Sequence, residues 1–128
     1  MTSIRLLNRT KEKALQLSKI FPNTTVGDWK KPAESLANAD LLINATSLGM
    51  KGGQPLEMSL DELPKSAIVT DIVYTPLQTE LLKNAAARGN PVVDGLGMLL
   101  HQAAPGFEEW FGVKPQVTPG LRKCVLGG

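Results

Sequence analysis

The sequence predicts an α/β fold with three layers, helices on both faces of a mostly parallel sheet. Two observations carry this. Short apolar runs alternate with helical patterns along the whole chain, which is the signature of parallel strands joined by crossover helices. Polar clusters follow directly on four of those runs, where parallel sheets gather their loops. At 128 residues the chain is long enough for one domain with a real core.

The elements follow in order. Ile4–Leu7 reads as a strand. Lys11–Phe21 reads as a helix, with Ala14, Leu17 and Phe21 on one face. Pro22-Asn23 ends it, and Thr24–Val26 forms a short strand. Pro32–Asn38 suits a short helix or turn. Leu41–Asn44 is expected to be a buried strand, followed by a glycine-rich loop through Gly53. Ser59–Leu63 suits one helical turn. Ala67–Asp71 is a further strand. Thr79–Arg88 is a helix stopped by Gly89, and Pro91–Val93 a short strand. Met98–Phe111 is helical but contains Pro105-Gly106, where a kink or break is expected. Thr118–Leu126 completes the series, with Pro119 suited to a first helical turn.

Composition narrows the function. Apolar residues make up 42% and charged residues 20%, ordinary for a globular chain. A net charge of +2 gives no case for nucleic acid or an acidic membrane surface. The early cluster Arg5, Arg9, Lys11 and Lys13 reads, by itself, as a solvated helix face. Cys124 is alone, which excludes an intramolecular disulfide and a cysteine metal cage and suits a reducing, cytoplasmic setting. No apolar run approaches the roughly 20 residues that span a bilayer, and Met1–Arg9 lacks a signal-peptide core. His101 has no second histidine for a metal site and reads as structural or exposed.

Asn8-Arg9-Thr10 is the most informative segment. A basic residue just past the second strand of a dinucleotide fold can hold the 2′-phosphate of NADP, where an NAD enzyme carries an acid. The glycine-rich turn expected roughly 20 residues upstream is not in this sequence. The chain therefore reads as residues 1–128 of a partial nucleotide-binding domain. In the strand order 3-2-1-4-5-6 the strand that precedes that turn is central. Three outcomes are open: Ile4–Leu7 pairs with Leu41–Asn44, another chain fills the gap, or open edges invite association. A homo-oligomer or an altered sheet is expected.

Five motifs, in this order and spacing, resemble those of shikimate dehydrogenase: Asn8 to Lys13, Asn44 to Met50, Asp71 to Tyr74, Pro76 to Leu82, and Asp94 to Ala103. Phe107 to Gly112 also fits that family's C-terminal helices. The resemblance implies a truncated Rossmann-like NADP-binding domain. It implies reversible hydride transfer between NADPH and 3-dehydroshikimate, giving shikimate, in the complete enzyme of chorismate and aromatic amino acid biosynthesis. The acid/base pair of that family is a Lys and an Asp in another domain, so no catalytic residue is assigned here, and the chain alone is expected to be inactive.

By the same resemblance Arg9 clamps the 2′-phosphate, Asn8 and Thr10 bind the adenosine ribose or phosphate, and Lys13 adds positive charge. Thr46 and Ser47 line the cofactor channel. Ile72, Gly95 and Met98 adjoin the nicotinamide. Tyr74 and Gln102 face the substrate, a small polyhydroxy carboxylate. Each has a plainer reading. Arg9 can be a surface arginine, Thr46 and Ser47 a strand-end turn, and Ile72 and Met98 core packing. Gly95 can be a turn glycine, Tyr74 core, and Gln102 merely exposed. Asp71 and Asp94 read as caps for backbone N–H groups rather than bases. Two alternatives stay open: a quinate/shikimate dehydrogenase fragment, and a non-catalytic nucleotide-binding or interaction module.

Overall fold

The computed structural model describes residues 3–127. Five strands and five helices follow, alternating except between β3 and β4 and between α4 and α5: β1 (Ile4–Leu6), α1 (Lys11–Ile20), β2 (Thr24–Val26), α2 (Ala33–Leu36), β3 (Leu41–Asn44), β4 (Ile68–Asp71), α3 (Glu80–Arg88), β5 (Val92–Val93), α4 (Gly95–Phe111) and α5 (Pro119–Val125). Every strand pair is parallel. This is the mixed α/β architecture that the alternation predicts. α1 packs on β2, α3 on β4 and β5, and α4 against α5.

The sheet is in two pieces. β1 pairs with β2, and β3, β4 and β5 form a second sheet in that order. Among the described residues no ladder joins β1 to β3, so the direct pairing of Ile4–Leu7 with Leu41–Asn44 does not form. The hydrogen bonds say which groups face the gap. Ile4 N–H donates to Asn23 and the Leu6 carbonyl accepts from Gly27, both at 2.9 Å. Alternation along a parallel ladder then turns Arg5 the other way. Asp40 and Asn44 carbonyls accept from Ile68 and Ile72, which turns Leu41 and Ile43 away from β4. A cavity of about 270 Å³ lies between the two edges, lined by Leu6, Leu7, Leu42 and Ile43 among others. Ile43 is 52% exposed. The expectation that β3 is buried is thus corrected, because its outer edge borders this cavity.

The core sits with the larger sheet. Leu36, Leu60, Leu63, Ala67, Val69, Leu81, Leu82 and Ala85 form one buried cluster. In α1 only Ala14 is buried; Leu17 and Phe21 remain 43% and 53% exposed. The predicted apolar face exists, but the two-stranded piece offers it too little surface to cover.

Helix ends follow their capping chemistry. The Thr79 hydroxyl accepts from Leu82 N–H and the Thr118 hydroxyl from Leu121 N–H, with Pro119 in the first turn of α5. Gly89, at φ 93°, closes α3, with Gly89 N–H on Ala86 and Asn90 N–H on Ala85. This is the paired closure that favours a left-handed glycine. Two expectations are corrected. Ser59–Leu63 is a turn rather than helix, held by Leu63 N–H on the Leu60 carbonyl at 2.9 Å. α4 begins at Gly95 and runs through Pro105 as one 17-residue helix. A proline removes one ladder bond, and the bonds before and after it sustain the helix.

Leu63→Ala should lower the unfolding free energy by about 2–5 kcal/mol, measured by urea denaturation. Ile20→Ala, at a site 69% exposed, should change it by less than about 0.5 kcal/mol. Equal effects at the two sites would contradict this placement of the core.

Candidate functional site

The carboxyl ends of β1, β3, β4 and β5 carry the segments singled out by sequence. At the first, Asn8 Oδ1 accepts Thr10 N–H at 3.0 Å, which turns the chain into α1. Thr10 is the N-cap, yet its side chain makes no capping bond. Lys13 N–H donates to the Thr10 carbonyl at 3.1 Å, while the Thr10 hydroxyl and the N–H groups of Lys11 and Glu12 remain open to an anion. Arg9 is exposed and donates only a long bond, 3.5 Å, to Gln54 Oε1. Arg9 and Ser47 both line an open cavity of about 340 Å³. Lys13 is exposed on α1 and is not among the residues lining it. Arg5 is no part of a solvated helix face: its guanidinium donates to the carbonyls of Ser35 and Ala37 at 2.8 and 2.6 Å and so caps α2.

The ends of β3 and β4 are joined by a polar network. Asn44 and Asp71 are register partners, 5% and 1% exposed. Asp71 Oδ1 accepts from Asn44 Nδ2 at 3.0 Å and Val73 N–H at 2.9 Å, while Oδ2 accepts from the Thr79 hydroxyl at 2.7 Å. Asn44 Oδ1 accepts from the N–H and hydroxyl of Thr46, and the Thr46 oxygen accepts from Leu48 N–H. Thr46 thus has the geometry of a strand-end turn. Asp71 caps backbone, as its position predicted, and also binds two side chains, which the sequence did not reveal.

Beyond β5, Asp94 is the N-cap of α4 and accepts Leu96 N–H at 3.1 Å. Gly95 packs on the loop after β4. A Cβ there would lie 2.5 Å from the Ile72 carbonyl oxygen and 2.8 Å from that of Asp71. The glycine is therefore required by the chain's own backbone, and this contact brings Gly95 and Ile72 together. Met98 and Tyr74 are 44% and 46% exposed, and Gln102 is exposed on α4. His101 is exposed too.

One participant was missed in the sequence. Arg122, on α5, donates to both carboxylate oxygens of Asp94. The two are 28 residues apart, so no local pattern joins them. The charged hydrogen bonds from Arg122 hold the Asp94 carboxyl below the ordinary carboxylate range. Partial burial opposes this, and the Arg122 charge with the N–H groups of Leu96 and Gly97 adds to it. Among the described residues no group of three His, Cys, Asp or Glu side chains is placed to hold a metal ion, and no helix is long and apolar enough to cross a membrane.

Parallel strands, crossover helices and polar loops gathered at the strand ends define a Rossmann-like α/β domain. Residues 95–122 match the family model of the shikimate 5′-dehydrogenase C-terminal domain. Over 124 residues the chain is 60% identical to shikimate dehydrogenase (NADP(+)) of Dinoroseobacter shibae, an alignment covering 96% of this chain and 45% of that one. Among solved structures it resembles quinate dehydrogenase from Corynebacterium glutamicum in complex with NAD, at TM-score 0.86 and 29% identity over 98% of this chain and 46% of that one. It also resembles shikimate 5-dehydrogenase from Thermus thermophilus in complex with NADP(H) and shikimate, at TM-score 0.76 and 33% identity over 89% and 42%. The chain is thus similar to shikimate dehydrogenases over nearly its whole length, and it spans about half the length of the curated relatives it matches.

The Asp94–Arg122 pair carries a pH signature. A carboxyl whose folded pKa is depressed adds stability above its unfolded value, and that stability is lost as pH falls through the folded value. The thermal midpoint should therefore fall as the pH drops below the ordinary carboxylate range, about 4, and Arg122→Ala should flatten that part of the profile. Parallel profiles for the two proteins would rule the pair out as its source.

Proposed function

We infer that this chain is the NADP-binding part of a shikimate dehydrogenase, which reversibly reduces 3-dehydroshikimate to shikimate with NADPH. The observation that carries this reading is Arg9, a guanidinium without a carboxylate partner among the described residues, at an open cavity beside Ser47. A planar fork suits a phosphate, and the uncapped first turn of α1 adds N–H donors beside it. In this reading Asn8, Thr10 and Lys13 serve the adenosine end, and Thr46 and Ser47 the channel. Ile72, Gly95 and Met98 serve the nicotinamide end, with Tyr74 and Gln102 toward the substrate. The exposure of Tyr74, Met98 and Gln102 fits groups that face a ligand or another domain. In this reading the residues named here bind and orient the nucleotide and the substrate, and none of them supplies the acid/base step.

Titration with NADPH and NADH, followed by fluorescence, tests this. NADPH should bind more tightly, and Arg9→Ala should abolish the preference. Indifference of the parent chain to both nucleotides would sink the reading.

The unpaired edges of β1 and β3 support self-association, since open strand edges recruit further strands. Sedimentation at rising concentration should give a weight-average mass above that of the monomer. A constant monomer mass would exclude it.

A further inference from the structure

The geometry points to Lys51 as a second cation for the 2′-phosphate, a specificity residue that works opposite Arg9. This rests on the NADP reading above and adds a group to it. Lys51 and Arg9 line the same cavity, on which Ser47 and Gln54 also open. None of the residues lining it is acidic. Among the described residues the ion pairs are Lys83–Glu80 and Arg122–Asp94, so neither cation of the cavity is neutralised within the chain. Two uncompensated cations around one open space favour a dianion. A phosphomonoester gathers about −1.5 to −2 on a single phosphorus near neutral pH and is that ligand; the pyrophosphate of NADP spreads its two charges over two phosphorus atoms, one on each.

The loop that bears Lys51 is held in place rather than left to drift. Lys51 N–H donates to the Thr75 carbonyl at 2.9 Å, Gly49 N–H to Gln54 at 2.8 Å and Gly53 N–H to Met50 at 2.9 Å. Gly49 and Gly52 sit at φ +89° and +79°, conformations that a side chain disfavours. The backbone of the ammonium-bearing residue is therefore pre-placed, which lowers the ordering cost of closing on a phosphate. Lys13, the basic residue that motif spacing points to, sits on α1 outside this cavity. Lys51 and Arg9 differ in kind. Arg9 offers a planar fork, while Lys51 offers a compact charge on a flexible stem, suited to long-range selection of charge.

The test uses the two halves of the chemistry separately. Adenosine 2′,5′-bisphosphate and 5′-AMP are titrated into the chain and into its Arg9→Ala, Lys51→Ala, Lys51→Arg and Lys13→Ala variants, followed by two-dimensional NMR. The same spectra report whether each variant is folded. The parent should prefer the bisphosphate. Lys51→Ala should cut that preference by roughly three- to tenfold and leave 5′-AMP unchanged, Lys51→Arg should restore it, and raising the salt should erase the difference. If Arg9→Ala removes the preference and Lys51→Ala does not, the NADP reading stands and the role of Lys51 is overturned. Equal weakening of both ligands in Lys51→Ala would mean loop collapse rather than phosphate contact, and also overturns it. If the parent shows no preference and Arg9→Ala has no effect, the NADP reading fails and Lys51 falls with it.

Discussion

Asp71 lies at the carboxyl end of β4 with 1% of its surface exposed, and its two oxygens accept from three donors on three different segments. A carboxyl group so deeply buried is costly unless its acceptor positions are filled. Here the filling is mutual. Asn44 fixes the end of β3, Thr79 fixes the start of α3, and Val73 N–H fixes the loop that leads to Tyr74. The Asn44 amide also donates to the Leu48 carbonyl at 3.0 Å, so Asp71 takes its second hydrogen. The loops at this end of the larger sheet therefore share one anchor, and the Thr46 turn is coupled to it through Asn44.

The opposite end of the same sheet is closed by side chains as well. Asn90, just past α3, donates to the carbonyls of Pro64 and Ala67 at 2.8 and 2.9 Å, and Arg88 donates to those of Asp61 and Leu63. β4 and α3 are thus held at both ends around the apolar cluster. The β1–β2–α1 part is tied to the core through the Arg5 guanidinium on the carbonyls of Ser35 and Ala37, but is otherwise thinly covered. Its apolar residues Ile4, Leu17 and Ile20 stay 47%, 43% and 69% exposed, and the cavity beside β3 separates it from the core. Arg9 belongs to the loosely covered part and Asp71 to the well-packed one. The candidate nucleotide cavity, where Arg9 meets the Ser47–Gln54 loop, spans the seam between them.

This division explains what was legible in the sequence. Strand and helix positions were, because alternation and period are local properties. Thr24–Val26 forms at a β-branched triplet and Leu41–Asn44 at an apolar run, and Gly89 and Thr118 end or start helices by local chemistry. Burial was less legible. Leu17 and Phe21 carry the right spacing, but coverage depends on a neighbouring layer that no local window describes. Arg5, read as part of a solvated face, caps α2 from 30 and 32 residues away. Arg122 reaches Asp94 over 28. Pro105 signalled a break in α4, whereas a single missing bond is sustained by a 17-residue helix. The motif segments were found where they were expected, at strand ends, but their hydrogen-bond partners belong to tertiary structure.

The start of α4 shows how packing alone can dictate a residue that also suits a ligand. Gly95 is needed because the carbonyls of Ile72 and Asp71 stand where a Cβ would be. Asp94 beside it is held by Leu96 N–H from within the helix and by Arg122 from α5. The first turn of α4 is therefore fixed from three sides, with the β4 loop below, its own cap, and α5 across from it. Met98 and Gln102 lie three and seven residues beyond Gly95, within two turns of this fixed point. Their distance from the Ile72–Tyr74 loop is set by the same backbone contact. Rigidity of this kind is what a site needs if groups on β4 and α4 are to meet one ligand at a constant separation.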